Sequence, residues 1–256
     1  MPIIQAVERA LKILDLFDEF ETELKITDIS ERMALHKSTV HSLLKTLQKH
    51  RYIEQNPENG KYRLGLKLFE RGNFVIQSMD LRTIAKDYLQ KLSKVSGKTV
   101  HLVVLDGKEG IYIDKVESAS ATILYSRIGR RIPIHSSGVG KALVAFRSDE
   151  EIEQILNHYQ FNQHTPNTIT DKKRFLEEIE EIRKRGYAVD NEENEPGVFC
   201  VAYPVRNHNG DIVAAISMST TVNRAKEEGV EETVKMLIDT CHEISYKLGY
   251  GFQNIH

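Results

Sequence analysis

The stretch at residues 24–64, LKITDISERMALHKSTVHSLLKTLQKHRYIEQNPENGKYRL, predicts two short helices followed by a hairpin. Its apolar residues recur at helical spacing in two sets, Ile26, Ile29 and Met33, then Val40, Leu43, Leu44 and Leu47. Only three residues, 34–36, separate the two sets, which is the connection length of a helix-turn-helix. Two short β-type runs at 52–55 and 61–64 then flank a turn segment with the hairpin-favouring Asn-Gly pair. The stretch is therefore predicted to be a winged helix-turn-helix.

The second helix, at residues 37–50, turns a polar and basic face away from its apolar stripe. At about 100° per residue, Ser38, Ser42 and Lys45 lie opposite the stripe. In a helix-turn-helix the second helix enters the major groove, so we expect this face to contact DNA. The residues expected to contact bases or backbone are Lys37, Ser38, Thr39, His41, Ser42 and Lys45, and those of the wing expected to contact phosphates are Lys61 and Arg63.

Charge supports a nucleic-acid partner for this part of the chain. Residues 32–71 carry nine Lys and Arg against three Glu, a net charge of +6, whereas residues 8–31 carry three bases against eight acids, a net charge of −5. The whole 256-residue chain has a net charge of only −2, so the basic segment would act as a local patch. A solvated amphipathic helix on an ordinary α/β protein is the alternative, since Lys and Ser on an outer face need no function.

Composition limits the class of protein and its chemistry. The two cysteines, Cys200 and Cys241, lie in no C-x-x-C or Cys/His cluster, so we expect free thiols and predict neither a metal nor a cofactor. No apolar run approaches the roughly 18 residues of a membrane span, and the N-terminus lacks a signal-peptide pattern. These features predict a soluble cytoplasmic protein with no membrane partner.

The other periodicities divide the chain into two domains. A helical pattern at residues 7–21, with Val7 and Leu11 in its apolar stripe, is expected to pack behind the helix-turn-helix. We place the DNA-binding domain at residues 1–75, a linker helix at 76–96 and a second domain at 97–256. The apolar stripe at residues 81–92 of the linker either forms a dimer seam or packs against its own domain, and the pattern leaves both open.

In the second domain strands alternate with helices. Strands are predicted at 99–105, 110–116, 123–125, 132–134, 187–189, 199–205 and 212–219, and helices at 140–146, 149–158, 171–185 and 230–248. Residues 206–211 carry a hairpin signal, which makes the last two strands antiparallel neighbours. The predicted fold class is therefore α+β, with an N-terminal winged helix-turn-helix domain and a mainly antiparallel sheet in the C-terminal domain.

Two segments of the second domain carry residues that suggest a binding site. Gly138 and Val139 lie in the turn that leads into the helix predicted at 140–146. The flanking residues match neither a phosphate loop nor a dinucleotide fingerprint, but exposed amide N–H groups in this turn would suit a small anion. The other candidates, which could line one pocket because residues two apart on a strand face the same way, are Asp190, Cys200, Ser217 and Ser219. A hydrolase that uses Cys200 or Ser137 is the enzyme alternative, although the sequence pairs no histidine with either.

Several motifs resemble those of the IclR-type bacterial transcriptional regulators, over essentially the whole chain. They are AVERALKIL at 6–14, LHKSTVHSLLKTL at 35–47, YRLG at 62–65, SGVGKA at 137–142, and the segment from GY at 186–187 through GVFC at 197–200 to AYPV at 202–205. The resemblance implies a GAF-like effector-binding domain, a homodimer or a tetramer built from dimers, and pocket residues at Gly138, Val139, Asp190, Cys200, Ser217 and Ser219. The chain departs from the family pattern at Ala34, His36 and Ser42, where Gly, Pro and Arg are usual or common, so operator contacts are expected to differ.

Together these features predict a sequence-specific DNA-binding regulator, a repressor of a palindromic double-stranded operator that is controlled by a small carboxylate in the C-terminal domain. An ionised Asp190 would repel an anion unless it takes up a proton or accepts a hydrogen bond from a hydroxyl of the ligand. This favours a hydroxy acid or sugar acid. Besides the hydrolase, a ligand-independent DNA-binding protein is an alternative, and a C-terminal domain without a cavity would favour it.

Overall fold

The computed structural model describes residues 3–18, 20–78, 80–117 and 126–251, and the chain divides into two compact units, Met1–Met79 and Asp80–His256. The predicted fold class is confirmed, with a winged helix-turn-helix in the first unit and an antiparallel sheet packed with helices in the second. The strand predicted at 123–125 lies outside the described residues.

The first unit is built around the predicted helix-turn-helix. Its elements are α1 (Gln5–Leu14), α2 (Ile26–Arg32), α3 (Lys37–Lys49), β1 (Ile53–Gln55), β2 (Tyr62–Leu64) and α4 (Leu66–Ser78). β1 and β2 form the antiparallel wing, with Ile53 opposite Leu64. The predicted inner faces of α2 and α3 are confirmed, because Ile29, Val40 and Leu44 are fully buried in one core.

The turn between α2 and α3 contains a residue in the left-handed region. Ala34 has φ 51°, a conformation that glycine adopts without the steric cost that a Cβ imposes. The backbone N–H of Leu35 donates to the carbonyl of Ser30, and the Ser30 hydroxyl donates back to the Leu35 carbonyl at 2.5 Å. These bonds hold the sharp turn that sets α3 against α2.

The first helix is shorter than predicted, and it buries only part of its predicted apolar stripe. α1 ends at Leu14 instead of near Glu21, and farther along the chain the Asp18 carboxylate accepts the backbone N–H groups of Phe20 and Glu21, which leaves them out of any helix. Its buried side chain is Ile13, whereas Val7 and Leu11 are 54% and 57% exposed. Ala10 and Leu14 of the predicted stripe pack against the core of the helix-turn-helix, so α1 packs behind it as expected, while Val7 and Leu11 face outward in the single chain.

The second unit contains a six-stranded sheet in which every neighbouring pair is antiparallel. Its elements are α5 (Asp80–Ser96), β3 (Thr99–Asp106), β4 (Glu109–Val116), β5 (Arg131–Pro133), α6 (Gly138–Ala145), α7 (Asp149–Leu156), α8 (Lys172–Arg185), β6 (Ala188–Asn191), β7 (Val198–Arg206), β8 (Ile212–Thr221), α9 (Val222–Glu228) and α10 (Glu231–Lys247). The strand order is β5-β4-β3-β8-β7-β6. The predicted hairpin at 206–211 is confirmed, since β7 and β8 pair across it.

Helices cover the sheet of the second unit. α6 packs on β6, β7 and β8 and against α8, and this core includes Val103, Ala202 and Ala215. Alternate residues such as Leu102 and Ile216 are also fully buried, as strand periodicity requires when the other face of the sheet is covered by α5 and α10. Both faces of the central strands are therefore withdrawn from water.

Two features of the second unit differ from the sequence-based expectation. The predicted linker helix at 76–96 is the end of α4 followed by the whole of α5, and Ala85, Leu89 and Leu92 of α5 are buried within the second unit, so this stripe packs against its own domain. The short helix α9 was not predicted; the Thr221 hydroxyl caps it by accepting the Arg224 backbone N–H at 3.3 Å.

Candidate functional site

The outer face of α3 is the candidate DNA-contact surface of the first unit. Because Val40, Leu44 and Leu47 are buried, the helix can present only its opposite side to solvent. The predicted contact residues on that side are placed as expected: Lys37, Ser38, His41, Ser42 and Lys45 are exposed, and Thr39 is half-buried. We call these six residues the α3 surface.

Hydroxyl groups on α3 are partly used within the helix. The Ser42 hydroxyl donates to the Ser38 carbonyl at 3.1 Å, and the Thr46 hydroxyl donates to the Ser42 carbonyl at 2.9 Å. Such bonds to the carbonyl four residues back occupy the hydroxyl proton and leave the oxygen lone pairs as acceptors. The exposed Lys37, His41 and Lys45 carry the longer donors of the α3 surface.

The wing carries the two bases predicted to contact phosphates. Arg63 is exposed and pairs with Glu54 across the hairpin at 3.1 Å, while Lys61 is half-buried. Glu23 lies beside the wing, where its carboxylate accepts the amide groups of Asn56 and Asn59 at 3.1 and 2.9 Å. The wing therefore offers positive charge that neighbouring carboxylates partly offset.

In the second unit, the six predicted pocket residues all line one cavity of about 30 Å³. They are Gly138, Val139, Asp190, Cys200, Ser217 and Ser219. Sheet register explains the convergence, because Asp190 on β6 lies opposite Cys200 on β7, which lies opposite Ser219 on β8. Side chains in one such row point to the same face of the sheet, here toward the start of α6.

The start of α6 closes the cavity with backbone donors. The Ser137 hydroxyl caps the helix by accepting the Gly140 backbone N–H at 3.1 Å, and the first amides, those of Gly138 and Val139, lie in the turn that has no helical acceptors. A Cβ on Gly138 would lie 3.4 Å from the Ala202 Cβ, an ordinary packing distance, so the start of the helix lies directly against the sheet. A helix N-terminus with exposed amides attracts an anion.

Asp190 is the titratable group of the cavity and is only 3% exposed. One of its oxygens accepts the backbone N–H groups of Glu193 and Asn194 at 2.8 and 3.4 Å. Burial raises the pKa of this carboxyl to about 7, and the nearby charge of Glu193 adds to the rise, while Lys141 opposes it. Asp190 can therefore gain or lose a proton near neutral pH.

The hydrolase alternative lacks an activated nucleophile. The Cys200 thiol contacts the Ser219 hydroxyl at 2.9 Å, and burial raises the pKa of the thiol well above its ordinary value, so the reactive thiolate is disfavoured. The Ser137 hydroxyl donates to the Pro133 carbonyl at 2.6 Å. Among the residues that the structure describes, neither nucleophile has a histidine as its hydrogen-bond partner, which acyl transfer would require.

The cavity also contains residues that the sequence analysis missed, namely Tyr112, Ser126, Ile132, Asn194, Glu195 and Val198. Five of them, all except Ser126, also line an adjoining outer cleft of about 680 Å³ that Arg130, Arg131 and His164 border. His101 lies behind the cavity and contacts its serines. Asn194, Glu195 and Val198 lie in the segment 186–200 that carries the family motifs, whereas no motif marks Tyr112, Ser126 or Ile132. Only the pairing of β3 with β8, which places His101 opposite Ser217, could have identified the histidine.

A buried ion pair holds the loop that follows β6. The Lys141 side chain is fully buried, and its ammonium lies 2.7 Å from both carboxylate oxygens of Glu193. The Glu193 carbonyl in turn accepts the Thr168 hydroxyl at 2.6 Å. Since Asn194 and Glu195 of this loop line the cavity, Lys141 positions part of the cavity wall without entering it.

Within residues 3–18, 20–78, 80–117 and 126–251, no helix is long and apolar enough to cross a membrane. Over the same ranges, His, Cys, Asp and Glu form no group of three or more that could hold a metal ion.

Comparison with known proteins identifies relatives over both units. The model of the bacterial transcriptional regulator IclR C-terminal domain matches residues 73–246, and that of the IclR helix-turn-helix domain matches residues 6–57. The HTH-type transcriptional regulator XynR of Escherichia coli K12 is 52% identical over 250 residues, which cover 98% of this chain and 99% of XynR. Relatives of this kind are named as transcriptional regulators and not as enzymes.

Solved structures share the fold over nearly the full length. The crystal structure of the Thermotoga maritima IclR is 37% identical, with a TM-score of 0.76, and the match covers 96% of this chain and 99% of that one. A crystal structure of an IclR homolog from Microbacterium hydrocarbonoxydans, complexed with 4-hydroxybenzoate, is 26% identical, with a TM-score of 0.81 and coverage of 95% and 98%.

Proposed function

The chain belongs to the IclR family of bacterial transcriptional regulators, and from this we propose that it is a repressor controlled by a hydroxy acid or sugar acid. Regulators of this family bind DNA operators and small-molecule effectors. The observation that carries the proposal is the convergence of six residues from α6, β6, β7 and β8 on one buried cavity. A cavity with several polar groups is the expected form of a small-molecule site and disfavours the ligand-independent alternative.

The chemistry of the cavity favours an acid that also carries a hydroxyl. The amides of Gly138 and Val139 and the hydroxyls of Ser217 and Ser219 are donors suited to a carboxylate. Asp190 would repel that carboxylate when ionised, but it can accept a proton or a ligand hydroxyl. The relative from Microbacterium hydrocarbonoxydans was crystallised with 4-hydroxybenzoate, which is both a carboxylate and a hydroxyl compound.

The size of the cavity implies that it widens when the effector binds. A volume of about 30 Å³ suits one or two water molecules, whereas a sugar acid needs several times that space. The outer cleft shares Tyr112, Asn194 and Glu195 with the cavity, so movement of these side chains would join the two spaces. We propose that this widening couples effector binding to DNA affinity, by a typical factor of about 5 to 150.

The α3 surface and the wing are proposed to bind a palindromic operator. Genomic DNA fragments that bind the purified protein can be recovered and sequenced to identify the operator used in these tests. Ala substitution of Ser42 and Lys45 together should weaken operator binding by roughly 1–3 kcal/mol at particular base pairs, while Lys61→Ala should weaken all duplexes alike and lower the salt slope by about 1. Lys173→Ala, an exposed charge change in the second unit, is the matched control. Unchanged affinity and specificity in the double variant would reject the assignment of α3.

A symmetric assembly is proposed because one recognition helix reads few base pairs, and a two-fold dimer reads a palindrome. The homodimer, or a tetramer built from dimers, would cover the exposed apolar residues at the start of the chain, which are Ile3 and Ile4 just before α1 and Val7 and Leu11 on its outward face. Val7→Asp should reduce operator affinity and dimer mass in light scattering without unfolding the domain, since the residue is exposed. A wild-type chain that stays monomeric at micromolar concentration and still binds the operator fully would exclude this assembly.

Effector binding and regulation are tested by calorimetry and by transcription in vitro. Ser217→Ala and Ser219→Ala should each weaken binding of a sugar-acid panel, because each removes a hydrogen bond to a charged group, about 1.5–3 kcal/mol. Normal affinity in both variants would place the site elsewhere. Equal effector affinity with and without operator would show that the acid is not a regulator. If adding the protein increased the amount of transcript in vitro, the protein would be an activator and the proposal of repression would be wrong.

A further inference from the structure

His101 on β3 lies directly behind the effector cavity and is 2% exposed. Its ring contacts three hydroxyls that line the cavity. Nδ1 lies 3.2 Å from the Ser217 Oγ and 3.4 Å from the Ser219 Oγ, and Nε2 lies 2.7 Å from the Ser126 Oγ. The imidazole therefore bridges the serines on which the proposed effector site depends.

The ring is held in its neutral form. Burial lowers the pKa of His101 to about 3, and the positive charge of Lys115 lowers it further. Lys115 lies on the neighbouring strand opposite His101, and its ammonium donates to the Ser126 carbonyl at 2.7 Å. A neutral imidazole has one N–H and one lone pair, so the choice of tautomer fixes the direction of every hydrogen bond around it.

The distances distinguish the two tautomers. A lone pair on Nδ1 could accept only one hydroxyl proton, so only one of the two serines could then bond to the ring, and Ser219 would keep its contact with the Cys200 thiol alone. An N–H at Nδ1 can instead be shared between two acceptors, and such three-centre bonds are long, like the 3.2 and 3.4 Å contacts with Ser217 and Ser219. The short 2.7 Å contact at Nε2 suits a hydroxyl of Ser126 that donates to the ring lone pair.

We propose that His101 is a positioning residue whose Nδ1–H donates to Ser217 and Ser219 and that the Cys200 thiol also donates to Ser219, so that both serine hydroxyls turn their protons into the cavity. The cavity then directs four donors at a ligand on this side: two hydroxyl protons together with the amides of Gly138 and Val139. A carboxylate accepts from all of them, whereas a neutral amide must place its own N–H₂ group against donors. His101 thereby sets the preference of the cavity for an anion. This inference rests on the effector site proposed above.

The tautomer can be measured without any ligand. Proton–nitrogen correlation spectra of the full chain with isotope-labelled histidine distinguish a protonated from an unprotonated ring nitrogen, and comparison with His101→Asn assigns the signal. We expect a protonated Nδ1 and an unprotonated Nε2, unchanged between pH 6 and pH 8 because the ring stays neutral. A protonated Nε2 with an unprotonated Nδ1 would overturn the proposal.

The anion preference is measured with glycolate, the smallest hydroxy acid, against its neutral isostere glycolamide. In the wild type glycolate should bind more tightly. His101→Leu, which removes the donor, should reduce the ratio of the two affinities about tenfold, the loss of one hydrogen bond to a charged group. His101→Asn, whose amide can replace the Nδ1–H, should retain most of it. His135→Leu removes a buried histidine outside the cavity, bonded to Tyr159 and Asn162, and should leave the ratio unchanged.

Two results separate this inference from the function on which it rests. If His101→Leu keeps the wild-type preference for glycolate, His101 does not set the hydrogen-bond direction and the inference is wrong. If the wild type itself does not distinguish glycolate from glycolamide, the anion site is wrong, and the spectrum of the ligand-free protein still decides the tautomer.

Discussion

Replacing Asp190 by Asn should stabilise the second unit, and by an amount that grows with pH. A carboxyl whose pKa rises from 3.8 to about 7 on folding binds its proton more tightly in the folded than in the unfolded state. Its ionisation therefore opposes folding by about 1.4 kcal/mol for each pH unit between those values, and by roughly 4 kcal/mol above pH 7. Asn cannot ionise, and its carbonyl can still accept the backbone N–H of Glu193.

The sign follows from proton binding. Between about pH 4 and pH 7 the folded state holds more of this proton than the unfolded state, so the stability of the wild type falls as pH rises through that window. The advantage of Asp190→Asn should thus be about 3 kcal/mol larger at pH 8 than at pH 5. Comparing two pH values cancels any constant difference in hydrogen bonding between the carboxyl and the amide.

Urea unfolding followed by circular dichroism at pH 5 and pH 8 measures this difference for the transition of the second unit. Asp239→Asn is the matched control, because it removes an exposed carboxylate on α10 and should leave the pH dependence unchanged. An advantage of Asp190→Asn that is the same at both pH values would refute the reasoning, since it would mean that Asp190 ionises as easily in the folded protein as in the unfolded chain.

Three other substitutions test individual contacts. Lys141→Met leaves the Glu193 carboxylate without its buried ammonium and should cost about 3–5 kcal/mol in urea unfolding, whereas Lys184→Met, at an exposed pair, should hardly move the midpoint. Ala34→Gly should raise the stability of the first unit by about 0.5–1 kcal/mol, since the left-handed backbone costs alanine more than ordering costs glycine, and a lower melting temperature would contradict this. Gly140→Ala should destabilise the second unit by at least about 1–3 kcal/mol, because a Cβ there would lie 2.5 Å from the Ile134 Cα. Gly138→Ala, where the nearest contact of the added Cβ is 3.4 Å, is the control and should fold normally. Equal stability of the two variants would contradict the packing described for α6.

The helix-turn-helix and the wing could be predicted from the sequence because their determinants are local. The apolar stripe from Val40 to Leu47 decides which side of α3 is buried, and the Asn-Gly pair decides where the wing turns. Once the stripe is known, the exposure of Lys45 and His41 follows from helix geometry alone. The family motifs added the positions of the pocket residues, which periodicity could not supply.

The sequence pattern did not predict which apolar residues of α1 are buried, because an apolar face can pack within its own domain or against another molecule. The pattern at residues 7–21 fits a helix packed on Val7 and Leu11, yet the structure buries Ile13 and Phe17 and leaves Val7 and Leu11 exposed. A helical period records that an apolar face exists and does not say whether its partner is the same domain or another molecule. The same ambiguity applied to α5, and there the tertiary structure resolves it in favour of the second unit.

The sequence by itself determined the two-domain order, the α+β class, the recognition helix and the residue types of the cavity. Only the tertiary structure decided which other side chains contact the cavity residues, because the cavity is assembled by the register of separate strands. His101 reaches Ser217 over 116 positions of sequence, and Lys141 reaches Glu193 over 52. A one-residue change of strand register would turn each of the cavity's strand residues to the opposite face of the sheet, and sequence pattern does not specify the register between strands so far apart.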